Sequence, residues 1–300
     1  MIRKIVCVGA VVQDEVYRVA RLPAAGIKVA AESVEERFGG PAATAAVAVS
    51  NLGGAAAFWG RVGHDAAGDA AIAALMRHGV DTSGIAVVPE GRTRRAVVMV
   101  DDKGERCIIA YRKGLPEDAS FLPKDNLNTV AVVLADSRWP AGAVAAFERA
   151  RARGIATVID ADGGPRDGTT RIVALADHIV FSAEGLRDYA GNGDPAEILR
   201  RCAADAGSKV FAVTRGAAGS LWLIDGRLSS IPAFKVTVTD TTGCGDVFHG
   251  AYALGLAEGM APLEAARFAS AVAAVKAARG RGWEGMPSRT SVMDFLAAAS

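Results

Sequence analysis

The chain has 300 residues, 51% hydrophobic and 22% charged, with a formal net charge of +1. This composition excludes a disordered chain, and the charge offers nothing to attract a nucleic acid or an anionic membrane. Cys7, Cys107, Cys202 and Cys244 show neither disulfide density nor metal-ligand spacing, so a reducing, cytoplasmic setting and no metal held by protein side chains are expected.

The first run, 4–10, reads as a core strand. It lacks the full apolar region and small-residue cleavage site of a secretion signal, and Gln13–Asp14–Glu15 follow at once. Residues 14–38 alternate like short strands, and helices are expected over 42–52 and 66–78. A second alternating stretch, 92–112, carries "DDKGER" (101–106) as a hairpin turn. The runs 131–136, 156–160, 178–181, 209–214 and 220–224 are nearly continuous in apolar residues, as in a parallel sheet covered on both faces. Helices at 141–153, 195–205, 247–258 and 263–278 complete the alternation. The fold expected is α/β, a doubly wound and mainly parallel sheet forming one domain over 1–300. The alternating segments, about 14–38 and 92–113, are expected to pair into a small β-sheet lid over a site; the other reading is that they extend the main sheet. No run is long and apolar enough to span a membrane.

Chemistry concentrates at 239–252, "TDTTGCGDVFHGAY". The N–H groups of Gly243, Cys244, Gly245 and Asp246, at a loop-to-helix junction, form a nest for an anion. An acid in an anion-binding loop makes sense as a base beside a phosphoryl group in transfer, taking the proton of the attacking hydroxyl. The bland alternative is a helix-start acid favoured by the dipole. No G-x-x-x-x-G-K-[ST] loop exists, and Gly9 alone in "VGAVVQ" is no dinucleotide fingerprint.

"DTTGCGDVFHGAY" (240–252) resembles the C-terminal signature of the ribokinase-like, or PfkB, carbohydrate kinases, with Cys244 in place of the usual Ala. "FGGPAATAAVAVSNLG" (38–53) with "WGRVGHDAAGD" (59–69), and "VTRGAAGSLWL" (213–223), resemble the N-terminal signature and the nucleotide loop of that family, in the same order. The resemblance implies Asp246 as catalytic base, the backbone of Gly243, Cys244 and Gly245 as anion hole, and Asp14, Gly39 and Gly40 at the sugar. It further implies ATP contacts at Thr214, Gly216 and Gly219, Mg²⁺, and a homodimer formed through the lid. A monovalent cation, K⁺, would sit by the loop 278–287, and the family's Mg²⁺-organising N-x-x-E element would fall near 181–188, where Glu184 departs from its spacing by lying only two residues after Ser182. The two sugar-binding amides of the family are replaced by Pro41 and Thr44. Pro cannot donate, so the sugar must be held differently.

"GGPAATAAVA", "DKGER" (102–106) and "LADSRW" (134–139) resemble one branch, the 6-deoxy-6-sulfofructose kinases. That likeness places Lys28 and Arg138 on a sugar anion, with Ala110 where the branch has an asparagine and Arg112 or Lys113 as candidate compensation. The substrate expected is a ketohexose derivative with an anion at C6. Fructose, a fructose phosphate, 2-keto-3-deoxygluconate, ribose and a nucleoside are the alternatives, and a non-catalytic sugar or nucleotide sensor is the rival of another class. His64, His78 and His178 read as loop or surface histidines and His249 as packing, while Trp139 either walls the pocket or packs. Asp160 and Asp162 close a strand, a common place for acids, and stand outside the expected site.

Overall fold

A computed structural model of the chain describes residues 4–124, 127–163, 166–204 and 209–299, with backbone only at 166 and 167. Strand β1 (Lys4–Gly9) is buried along its last five residues. It leads into β2 (Val12–Arg18), β3 (Ser33–Gly39) and helix α1 (Pro41–Asn51), which Pro41 opens at a position needing no N–H donor. β4 (Ala55–Gly63), α2 (Ala66–Arg77) and β5 (Asp81–Val88) follow, Asp65 capping α2 through the N–H of Gly68. β6 (Arg95–Val100) and β7 (Arg106–Tyr111) form a hairpin, its turn fixed by Asp101 accepting from the N–H groups of Lys103 and Glu105.

The second half alternates more strictly: β8 (Val130–Asp136), α3 (Pro140–Arg151), β9 (Ala156–Ala161), α4 (Arg166–Leu175) and β10 (His178–Ser182). Then come α5 (Ala183–Ala190), α6 (Pro195–Ala203), β11 (Val210–Thr214), β12 (Ser220–Ile224) and β13 (Arg227–Ile231). Three helices close the chain: α7 (Cys244–Ala257), α8 (Pro262–Arg279) and α9 (Arg289–Ala298).

The main sheet runs β13-β12-β11-β10-β9-β8-β1-β4-β5, parallel except at β12 and β13. Side chains alternate along β1, so Ile5 and Cys7 join the core under α1, α7 and α8, while Val6 and Val8 join the core under α3 and α6. Both faces are covered, which makes the sheet doubly wound. The chain leaves β1 toward β4 on one side and β8 on the other, and ligands of such sheets bind at the strand ends beside that switch.

The two alternating segments pair with each other in a separate sheet, β3-β2-β6-β7, rather than extending the main one. Asp14 stands opposite Arg37 on one side and Ala96 on the other, and Ala96 opposite Ala110. Several elements differ from expectation. β4 (AAAFWGRVG) and β5 are strands despite many Ala and Gly, because β4 is buried on both faces and β5 pairs along it. β13, α4, α5 and α9 add to the expected set. The helix expected from 247 begins at Cys244, and the end of the one expected over 195–205, Asp205, lies outside the described residues. No helix among the described residues is long and apolar enough to cross a membrane.

Candidate active site

Gly243 takes the left-handed conformation (φ 74°) and serves as N-cap of α7 without a capping side chain. The first-turn N–H groups of a helix have no helical partner, and those of Gly245 and Asp246 have no acceptor among the described residues. The Cys244 N–H turns back to the Thr241 carbonyl at 3.2 Å, which corrects the expected nest by one donor. A Cβ on Gly245 would meet no protein atom within 4 Å, so the space over the cradle is open to a ligand. Burial pushes the Cys244 thiol up to about 11, so it stays neutral and fills the loop.

The loop is braced from the small sheet. Asp240 accepts from the N–H and hydroxyl of Thr242, and Arg106, at the start of β7, donates to Asp240 at 2.8 Å and to Thr242 Oγ1 at 2.7 Å. Behind it, the buried Lys276 donates to the Gly280 carbonyl at 2.9 Å.

Asp246 is half-buried, and its carboxyl is pushed up to about 7, by burial first and then by the Asp160 carboxylate. Asp160, at the end of β9, is buried and held well above the usual carboxylate range by the same loss of water. His249 is buried as well, with Nδ1 3.3 Å from Asp160 Oδ2. Asp136, at the end of β8, accepts from the N–H groups of Ala10, Ala42 and Arg138, tying β1, α1 and the strand end together.

On the small-sheet side, Asp14 is half-buried and burial raises its carboxyl to about 6, with Arg37 opposing. A Cβ on Gly39 would lie 3.0 Å from Asp14 Oδ2, and one on Gly40 would strike the Ala10 carbonyl at 2.4 Å, so both glycines permit close backbone approach. Arg138 donates to the Asp162 carbonyl at 2.9 Å and keeps a quarter of its side chain exposed at the strand end. Thr44 is buried, its hydroxyl accepting from Trp283 Nε1 at 3.0 Å, and its methyl lies 3.4 Å from where a Cβ on Gly243 would sit. Lys28 is exposed in the connection between β2 and β3 with no partner among the described residues.

The nucleotide-side residues form one tight turn. Thr214 ends β11 and its hydroxyl lies 3.3 Å from the Phe181 carbonyl. Gly219 (φ 76°) packs so closely on the Ile231 carbonyl that a Cβ would come within 2.1 Å, whereas a Cβ on Gly216 would meet nothing. Gly216 again leaves room for another molecule. Trp139 is fully buried, with Arg61 stacked 4.0 Å over its ring, so it packs. His178 stands in β10, bonded to the Tyr252 hydroxyl at 2.8 Å, and is not a surface histidine. Sequence reasoning set aside Asp160 and gave Asp136 no role at the site. Both end β-rich runs, "LAD" and "VID", and that position at the carboxyl edge of a parallel sheet was the available clue.

Residues 2–289 match the pfkB family of carbohydrate kinases. A fructokinase of Vibrio alginolyticus is 32% identical over 71% of this chain and 74% of its own, and a ribokinase of Lactococcus lactis is 26% identical over 96% and 95%. The ribokinase of Arabidopsis thaliana, solved with ribose and ATP, superposes with a TM-score of 0.88 at 26% identity, over 99% of both chains. The chain belongs to the pfkB family of carbohydrate kinases, enzymes that transfer a phosphoryl group to an alcohol acceptor.

Proposed function

We propose that this carbohydrate kinase transfers the γ-phosphoryl group of ATP to a primary hydroxyl of a ketohexose derivative bearing an anion at C6, 6-deoxy-6-sulfofructose first. One observation carries the reaction: the open space over Gly245 beside a half-buried carboxylate poised near neutrality. Asp246 takes the hydroxyl proton, and the N–H groups of Gly245 and Asp246 meet the charge that develops on the transferred group. The turn 214–219 receives the nucleotide, its open Gly216 letting the backbone approach. Asp14, with Gly39 and Gly40, holds sugar hydroxyls. The small sheet acts as a lid on the same domain, and closing it excludes water from the transfer.

Mg²⁺ prefers phosphate and water oxygens with one or two carboxylates. Glu184, exposed in the first turn of α5 with no ion pair among the described residues, fits a contact to such an ion through water. When bound on the nucleotide, the ion neutralises phosphate charge. A monovalent cation fits less well. Asp240 already meets the Arg106 guanidinium and the Gly280 carbonyl the Lys276 ammonium, so a further cation there would face two like charges.

The anionic acceptor is supported by Arg138, a guanidinium with fixed donor geometry at a strand end. A neutral ketose or pentose is the second reading, favoured by the bond Arg138 already makes to Asp162 and by the solvated Lys28. Measuring kcat/KM for sulfofructose, fructose 6-phosphate, fructose, ribose, 2-keto-3-deoxygluconate and adenosine decides. Preference for sulfofructose or fructose 6-phosphate is expected, and equal preference for a neutral sugar overturns the anion reading. Val34, Ile109 and Tyr111 are exposed on the face of the small sheet opposite Asp14, which supports a homodimer through that face.

A further inference from the structure

A buried pair lies beneath Asp246 and takes no step in the reaction above. Asp160 and His249 are each 2% exposed. The ring nitrogens of His249 face only oxygens: Nδ1 lies 2.7 Å from the Gly245 carbonyl and 3.3 Å from Asp160 Oδ2, and Nε2 lies 3.3 Å from the Val180 carbonyl. A neutral imidazole donates from one nitrogen only, so these surroundings favour a proton on both. Burial pushes the other way, His249 down and Asp160 up, so the oxygens around the ring and the loss of water oppose each other at this pair. Asp160 Oδ1 has no hydrogen-bond partner among the described residues. A buried carboxylate oxygen left unpaired costs stability, and an apolar pair of the same shape would pack at lower cost. Packing therefore does not explain why these two groups stand here.

We propose that Asp160 and His249 are positioning residues for Asp246: a carboxylate–imidazole pair, 3.3 Å apart and buried against the Gly245 carbonyl in the first turn of α7, that governs when the base holds its proton. The proposal rests on Asp246 being the general base. The other titratable groups that bear on Asp246 are Asp136 from β8, Asp162 just after β9, and the neutral Cys244 thiol on its own helix. Arg138 stands beyond the carboxylates, and Asp240 and Lys276 lie on the Cys244 side. The charge of Asp136 is spread over three N–H donors, and Asp162 lies 3.9 Å from the Arg138 guanidinium. Asp160 has the His249 ring at 3.3 Å on one oxygen and no hydrogen-bond partner for the other among the described residues. A base for a sugar hydroxyl works best when its proton affinity matches the working pH, and a charge pair of opposite signs beside it can set that affinity in either direction.

The test is kcat/KM against pH for the full chain with its best sugar, in the wild type, Asp160→Asn and His249→Asn. Asp160→Asn keeps the shape and removes the raising charge. Its acid limb is expected to move down by about one unit, so that about tenfold more of its plateau activity survives at a fixed acidic pH. His249→Asn removes the lowering charge, and its limb is expected to move up. A packing role would lower the plateaus and move neither limb. Limbs that stay in place, or that move in the same direction, overturn the proposal. Should Asp160→Asn fail to fold, the limb of His249→Asn decides alone: upward supports the pair, unmoved or downward overturns it. Asp246→Asn measured beside them separates the two claims. Near-normal turnover there overturns the base reading and this one with it, whereas an inactive Asp246→Asn with unmoved limbs overturns only the pair.

Discussion

The loop 239–246 and the sugar end of the pocket are built on different plans. In the loop, eight consecutive residues supply the turn, the free N–H groups, the open space and the acid, and each is fixed by local backbone geometry: Gly243 at positive φ, Asp240 folded onto Thr242, Gly245 bare toward the cradle. The residues proposed at the sugar end, Asp14, Gly39, Gly40, Ala110 and Arg138, are spread over β2, β3, the start of α1, β7 and the turn after β8, on two separate sheets. A reaction written into a single turn tolerates change elsewhere. A specificity assembled from five segments can shift with any one of them, as the replacement of two amides by Pro41 and Thr44 illustrates.

The contrast can be broken first at Asp246. Asp246→Asn is expected to lose at least about a thousandfold in kcat while calorimetry finds sugar binding retained, since a base acts in the transition state only. Its stability should move the other way. The folded state raises this carboxyl from 3.8 to about 7, so the stability linked to it is complete below pH 3.8 and is lost as pH rises through 7. The variant should melt above the wild type at about pH 8, with the gap closing toward about pH 4.

Gly245→Ala comes next. The added methyl meets no protein atom within 4 Å, and Ala is a better helix former than Gly by about 0.5–1 kcal/mol. An unchanged or higher melting temperature with kcat lower by about tenfold to a hundredfold is expected, the methyl intruding where the anion approaches. A melting temperature that falls with kcat would mean the space over the cradle is not free.

Arg138→Ala sharpens the other side of the contrast. It should cost about tenfold or more in kcat/KM with an anionic sugar, the scale of one lost charge-assisted hydrogen bond, and little with a neutral one. Equal loss on both would make Arg138 a brace for Asp162. The smallest effect is expected from exchanging potassium for choline at constant ionic strength, which should leave kcat unchanged, because Arg106 and Lys276 already meet the oxygens of that region.

The same contrast explains what the sequence could tell. The main sheet was legible because runs such as 131–136 and 209–214 are buried on both faces and read as continuous apolar strands. β4 escaped notice since Ala and Gly carry no strand preference, and its state is decided by the walls around it. Asp246 and its glycines were legible as neighbours in the chain. The partner of Thr44, Trp283, lies 239 residues away and could not be read from its neighbours, and Asp160 was set aside because only the packing of α7 on β9 and β10 brings His249 to it. Local geometry is written locally, whereas contacts between distant segments are not.

If Asp246 is a base held near neutrality by its burial, the pH dependence of kcat/KM must show its titration. The base works deprotonated, so wild-type kcat/KM should fall with unit slope as pH drops below about 7, and the residual activity of Asp246→Asn should lack that limb. A wild-type profile flat from about pH 5.5 to 8, or the same limb surviving in Asp246→Asn, would contradict the account.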